Sequence, residues 1–259
     1  MRTGGFMEIG SLQWKNIIRQ GAQALGVDVS SEQADRFTIH ARELIKWNRK
    51  VNLTAIADPF EIAVKHFVDS IAAAVIIPSN ISMLDIGSGG GFPGIPLKML
   101  IPNLTVMLVD ASRKKISFLK HVFRTLQLEK IEAHQIRGED ITIAPGSQET
   151  WSEFRKAPLD RTTPVSHKPF DVVISRAVTS LTDFILMALP VLASEGMIVA
   201  MCGKVTYSEM ESLRLHLAND PIVSSMGCDD LSIALKMYKL PFIDAQRSLV
   251  SIRRKSPAK

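Results

Sequence analysis

The chain has 259 residues, 46% of them apolar, with two cysteines and a formal net charge of +5. That length and apolar share fit a soluble globular chain with a sizeable core, and its longest apolar runs, such as Ile71–Pro78, are far too short to span a bilayer. Cys202 and Cys228 form neither a disulfide framework nor a zinc-ligand spacing, so a reduced, cytoplasmic setting with no metal site is expected; the positive balance permits a polyanionic partner without requiring one.

Residues 11–48 read as helical. Leu25, Phe37, Ile39, Leu44, Ile45 and Trp47 recur at roughly helical intervals among polar residues, with a helix start at Ser30-Ser31-Glu32 and Asp28 and Ser31 as cap candidates. A further apolar helix is expected from Phe60 to Ile77, ended by Pro78-Ser79-Asn80. The texture then changes. Ile81–Ile86 predicts a buried strand running into a glycine-rich turn, and Pro96–Leu100 continues as a helix. Leu104–Val109 predicts a second strand, closed by Asp110. Residues 112–128 predict a helix with Ile116, Leu119, Phe123 and Leu126 on one face. Ile131–Ile136, Phe170–Ser175 and Gly196–Met201 predict three more strands, with helices over 182–193 and 207–218. Leu249–Ile252 predicts a final edge strand. Strands alternating with helices imply a parallel sheet with right-handed crossovers. The expected fold is therefore α/β: a helical N-terminal lobe over residues 1–78 and a Rossmann-like domain over 79–259. Residues 144–169, with four prolines and many polar residues, read as a surface insertion.

The glycine turn carries the first functional signal. Gly89–Gly94 matches G-x-G-x-x-G, which alone is weak. A pyrophosphate site needs free backbone N–H groups at a helix N-terminus. Pro93 and Pro96 remove two such donors, the negative Asp85 would repel a phosphate, and no Walker Lys-Ser/Thr pair follows. A ligand without phosphate, S-adenosylmethionine, suits the turn better. The glycine-rich turn, Gly89 within it, gives its methionine part close backbone approach, and Asp85 can favour its cationic groups through the turn's waters and amides. Asp110 stands where a Rossmann-like sheet presents a carboxylate to a ribose diol. The plainer alternative is that Asp110 caps the helix starting near Ser112.

The methyl acceptor is narrowed by elimination. After the fourth strand the chain reads Ser175-Arg176-Ala177, not the N/D-P-P-Y/F turn of adenine amino methylation. Pyrimidine C5 methylation needs a nucleophilic cysteine; Cys202 lacks the Pro-Cys context and reads as a small core residue. Guanine N7 already has an in-plane lone pair and needs no general base, so catalysis there is mostly alignment. Arg176 reads as the group that orients a base or a phosphate, against a structural salt bridge with Glu139 or Asp171. His66 and Asp69, three apart on one helical face, divide evenly between packing and a substrate role, as does Asn52. Trp47 reads as a core residue. Residues 111–128 hold Arg113, Lys114, Lys115, Lys120 and Arg124 with no acid, and residues 245–259 hold Arg247, Arg253, Arg254, Lys255 and Lys259 with no acid. Two such segments favour phosphate contact.

Several stretches then stand together: WNRKVNLTAI (47–56), HFVDSI (66–71), LDIGSGGGFPGIPL (84–97), LVDASRKKISFL (108–119), RGEDI (137–141) and VISRAVTSL (173–181). In content and order, over about residues 40–200, they resemble the GidB-type (glucose-inhibited division protein B) methyltransferases of guanine N7 in 16S ribosomal RNA. GFPGIPL and ISRA are not general methyltransferase features. The resemblance implies that Gly87 and Phe92 line the methionine and adenosine pocket, that Asp110 is the acidic position after the second strand, and that Gly138 and Glu139 lie beside the adenine. It places Arg176 at the mouth of the cofactor and active site. It further implies S-adenosylmethionine as cofactor and 16S ribosomal RNA, or the small ribosomal subunit or its precursors, as partner. The enzyme is then expected to be a cytoplasmic monomer acting away from membranes, with Asn52, His66, Asp69, Arg113, Lys114 and Lys115 as candidate RNA contacts. The family's Lys-Gly pair after the fifth strand is absent; Met201-Cys202-Gly203-Lys204 puts the lysine on the other side of the glycine. Three other readings compete: a methyltransferase of a small molecule or protein, a nicotinamide-dependent oxidoreductase, which Pro93 and Pro96 oppose, and a non-catalytic RNA-binding assembly factor.

Overall fold

The computed structural model describes residues 7–141, 168–178, 180–225 and 231–254. Helix α1 (Leu12–Ala24) starts at Ser11, whose hydroxyl accepts from the Trp14 amide. Helix α2 (Ser31–Asn48) begins within the expected Ser30-Ser31-Glu32, with Ser30 rather than Asp28 or Ser31 as its cap. The Ser30 hydroxyl accepts from the Gln33 amide and the Gln33 side chain accepts from the Ser30 amide, so two otherwise orphaned donors are satisfied reciprocally. The apolar run after Phe60 is not one ordinary helix. It is a short turn α3 (Pro59–Glu61), a π-helix over Ile62–Val68, a turn α4 (Asp69–Ile71) and a 3-10 turn over Ala72–Val75. Apolar periodicity does not register such a change of pitch, because the whole run is buried on several sides.

Seven strands follow: β1 (Ser82–Ile86), β2 (Thr105–Asp110), β3 (Ile131–Gln135), β4 (Phe170–Arg176), β5 (Leu192–Cys202), β6 (Leu231–Leu240) and β7 (Ala245–Arg254). They form one sheet in the order β3-β2-β1-β4-β5-β7-β6. β1 to β5 are parallel, and β7 enters antiparallel between β5 and β6. Leu249–Ile252 is therefore not an edge. Val250 and Ile252 pack in the core on one sheet face and Leu249 in the core on the other, and burial on both faces belongs to an interior strand. The edge on that side is β6, whose alternating, half-exposed residues carry no continuous apolar run to mark it in the sequence.

Each face of the sheet has its own core. Met83, Val106, Leu108, Val172 and Val199 pack with Trp14, Phe37, Phe67 and Phe118, so the N-terminal helices and the helices α5 (Gly94–Leu100) and α6 (Arg113–Thr125) share one core with that face. Leu84, Met107, Val109 and Val173 pack against α7 (Leu181–Ala188) and α8 (Tyr207–Ala218) on the other. The insertion expected at 144–169 lies outside the described residues apart from Lys168 and Pro169. β1 sits between β2 and β4, so successive connections leave it in opposite directions, and the crevice at the carboxyl ends of such strands is where α/β sheets bind ligands.

Candidate active site

The turn after β1 is held by its own chain. The amides of Gly87 and Ser88 donate to the Val109 carbonyl, those of Gly91 and Phe92 to the Ser88 carbonyl, and that of Ile95 to the Gly91 carbonyl. Gly89 N–H donates to Asp110 Oδ2 at 3.1 Å and Gly94 N–H to Asp85 Oδ2 at 2.9 Å. A phosphate at this turn would have to displace these bonds, which argues against a dinucleotide site more strongly than the two prolines do. Gly94 has a steric reason as well: a Cβ there would strike Leu108 and Asp85 Oδ2.

Beside the turn lies a cavity of about 430 Å³ at the carboxyl ends of β1, β2 and β3, within the range of small-molecule sites. Gly87, Asp110, Gly138 and Glu139 all line it, with Ile86, Ala111, Ile136, Arg137 and Met187. Gly87 has φ +74°, and no atom lies within 4 Å of where its Cβ would be, so the backbone itself forms the wall. At Gly138 a Cβ would meet the Met187 sulfur, so a larger residue there would have to push the Met187 side chain aside. The Asp110 side chain is buried. Its Oδ1 accepts from the Ser112 amide at 2.9 Å, as a cap would, while Oδ2 takes the Gly89 amide and Lys115 Nζ at 3.3 Å. Each carboxylate oxygen has lone-pair capacity beyond these bonds, so capping and ligand contact are compatible. Glu139 is exposed at the rim, 3.9 Å from Arg137.

Asp85, Phe92 and Arg176 stand outside that cavity wall. Asp85 is fully buried behind the turn, one carboxylate oxygen on Gly94 and the other without a partner among the described residues; burial pushes its carboxyl up to about 7. It therefore acts through the turn. Phe92 is the middle ring of a stack. His40 lies on one side at 4.7 Å and His66 on the other at 4.6 Å between centroids, both nearly parallel to it. The Arg176 guanidinium carbon sits 5.1 Å from the Phe92 centroid, within cation–π range.

Arg176, at the end of β4, is pinned by the π-helix. Nη1 donates to the Lys65 carbonyl at 2.9 Å and Nη2 to His66 Nδ1 at 3.2 Å, and Nη1 lies 3.8 Å from Asp69 Oδ2. Its ionic partner is thus Asp69, not Glu139 or Asp171; Asp171 instead accepts from the Ser82 amide and hydroxyl. A guanidinium only donates, so His66 Nδ1 accepts and Nε2 carries the ring hydrogen, donated to Thr54 Oγ1 at 2.8 Å. Burial, then Arg176, lowers His66 to about 3, so the ring is neutral. His40 is fully buried, gives its Nε2 hydrogen to the Gly90 carbonyl and is lowered by burial to about 4. Burial pushes the Asp69 carboxyl up against the opposing pull of Arg176, Tyr238 and Arg247; Tyr238 donates to its Oδ1 at 2.9 Å.

The remaining sequence candidates spread out. Asn52 is exposed on a loop that Asn48 organises through bonds to Leu53 and Thr54. Arg113 and Lys114 are exposed at the start of α6, and Lys115 turns back to Asp110. Trp47 is half-buried against Phe118 and His121. Cys202 is half-buried with its thiol pushed up to about 11 by burial, unsuited to nucleophilic attack, and Lys204 is exposed beyond it. His40, Thr54, Tyr238 and Arg247 were not singled out for this site. His40 left a signal, a histidine on the apolar face of α2 beside Phe37, Ala41 and Leu44, and Arg247 stands in the basic segment 245–259. Tyr238 and Arg247 arrive from strands more than 160 residues from Asp69 along the chain.

A family model described as rRNA small subunit methyltransferase G matches residues 33–226. The chain belongs to this GidB family. Relatives named ribosomal RNA small subunit methyltransferase G match most of the chain. That of Geobacter sulfurreducens is 39% identical over 91% of this chain and 95% of its own. That of Geotalea uraniireducens is 40% identical over 77% and 82%, and that of Oceanobacillus iheyensis 34% over 90% and 89%. The GidB family is one of S-adenosylmethionine-dependent methyltransferases, and the residues present fit that group. The open backbone wall at Gly87 and the Asp110 carboxylate face one cavity, while the occupied turn amides disfavour a phosphate-bearing cofactor.

Proposed function

We propose that the protein transfers the methyl group of S-adenosylmethionine to N7 of a guanine in 16S ribosomal RNA of the small subunit. The observation that carries this reading is the pairing of the Gly87–Asp110–Gly138–Glu139 cavity with a guanidinium, Arg176, fixed at the adjoining strand end. When bound, the cofactor supplies an electrophilic methyl carbon on a sulfonium. Asp110 accepts from the ribose hydroxyls, Gly138 and Glu139 flank the adenine, and Gly87 gives close backbone approach. Asp85 supports the cationic end through the turn.

N7 offers its own lone pair, so no residue has to remove a proton before attack. The chain supplies orientation instead. Arg176 has N–H groups beyond those bonded to Lys65 and His66, and these can hold the base or its neighbouring phosphate. The neutral His66 and the half-buried, unactivated Cys202 agree with a site that does no acid–base or nucleophilic work. Arg113 and Lys114 extend the contact along the RNA backbone. We place the enzyme in the cytoplasm as a monomer away from membranes; no described helix is long and apolar enough to cross one.

The test uses labelled S-adenosylmethionine with small-subunit RNA and with particles from cells lacking the activity, the methylated atom being mapped. A label on guanine N7, falling steeply in Arg176→Ala, is the expected result. Cofactor binding with no transfer to any RNA form would overturn the reading in favour of a small-molecule or protein acceptor.

A further inference from the structure

Asp69 gathers more positive charge than it balances. Arg247 Nε lies 3.5 Å from its Oδ1 and Arg176 Nη1 lies 3.8 Å from its Oδ2. Both separations exceed the roughly 2.7–2.9 Å of a closed charge-assisted hydrogen bond. The short contact to Asp69 comes from the neutral Tyr238 hydroxyl, at 2.9 Å. Nearby Lys65 is matched by Glu61 at 2.6 Å and Lys239 by Asp244 at 2.8 Å. Asp85, the other carboxyl acting on Arg176, is fully buried and raised to about 7, so it offsets that charge only in part.

The two arginines also share an edge. Arg176 ends β4. Arg247 stands opposite Tyr238 on the β6–β7 pair, one residue before Ser248, which pairs with Cys202 at the end of β5. Both therefore lie at the carboxyl edge of the sheet, on the β4–β5–β7 side, whereas the cofactor cavity is at β1–β2–β3. Their side chains are 17% and 25% exposed, enough to meet a ligand without being loose in solvent. Arg247 bonds only its own neighbour's carbonyl, Gln246, at 3.2 Å, among the described residues.

We propose that Arg247 and Arg176 together seat a backbone phosphate of the RNA beside the target nucleotide, with Asp69 spacing the two guanidiniums. A phosphate oxygen bridging them supplies the negative charge that Asp69 cannot, and guanidinium forks match phosphate oxygens better than a lysine would. The C-terminal hairpin thereby contributes directly to substrate binding. The inference rests on RNA being the substrate. The cofactor's own carboxylate is the other anion of this chemistry, and the experiment separates the two.

Full-length protein, wild type and Arg247→Gln, is titrated with unmethylated 16S ribosomal RNA across a salt series. S-adenosylmethionine affinity is measured by calorimetry, and kcat and KM by methyl transfer. The Gln variant is expected to bind RNA about tenfold more weakly. The slope of log affinity against log salt should be shallower by about 0.7 to 1. KM for RNA should rise far more than kcat falls, with cofactor affinity unchanged. Arg247→Lys should recover the slope and only part of the affinity. An unchanged slope overturns the proposal, and so does a loss confined to cofactor affinity, which would mark the anion as the cofactor's carboxylate. If the Gln variant does not fold, Arg247→Met keeps the aliphatic stem without the charge, and the same readouts decide. A wild type that transfers no methyl group to RNA would instead sink the functional reading, while the salt slope would still report on Arg247.

Discussion

Asp85 acts from behind the glycine turn, and burial governs its charge. Its sequence position reads as favouring a cationic cofactor through the turn's waters and amides, and it lies fully buried behind that turn, bonded to the Gly94 amide. Its folded pKa, about 7, stands above the ordinary 3.8 because burial disfavours the charged form. The stability it contributes is therefore complete below 3.8 and is lost as pH rises through about 7. Asp85→Asn cannot ionise. In cofactor-free protein it should melt higher than wild type at pH 8, by about 2–4 °C per kcal/mol recovered, and the advantage should shrink toward pH 5. Equal melting differences at the two pH values would show that the buried charge is not the cause. Asp110 was legible from its place at a strand end, and Gly87 from the family resemblance. Arg247 was legible only as one of several basic residues in a segment favouring phosphate contact; the sheet order singles it out by bringing it to Asp69.

At the scale of elements, the π-helix over Ile62–Val68 is the device that sets Arg176. It brings the Lys65 carbonyl and His66 Nδ1, with Asp69 just beyond it, to one guanidinium. Such wide turns recur at functional sites. His66 is a positioning residue here, and what it offers is an acceptor. His66→Phe keeps the stack on Phe92 and deletes that acceptor; His66→Asn loses the stack and keeps an oxygen near the Nδ1 position. Methyl-transfer kcat should fall about 10- to 100-fold in the Phe variant, with cofactor affinity little changed, and the Asn variant should recover much of it. Equal losses in both would mean that the ring's packing matters and its acceptor does not. The sequence reading found His66 and Asp69 on one helical face but had no means of seeing the pitch, since an apolar run buried on several sides has the same composition in either helix.

Across the whole molecule, residues 12–75 and one face of the sheet share a single core, from Trp14 and Phe67 through Met83 to Leu249. The helical lobe should therefore unfold together with the sheet. Tryptophan fluorescence, to which the buried Trp14 contributes, and far-UV circular dichroism should give coincident denaturant transitions; a fluorescence change well ahead of the other would show the lobe to be separately stable. The alternation of strands and helices, the parallel sheet, the glycine turn, Asp110 and Arg176 were determined by the sequence alone, because periodicity, turn chemistry and strand ends are local properties of a chain. The interior place of β7, the ring stack of His40, Phe92 and His66, and the gathering of Arg176, Tyr238 and Arg247 on Asp69 were decided only by the tertiary structure. Each of these joins residues far apart in the chain, and no local pattern records which distant side chain will complete a buried hydrogen bond or share a charge.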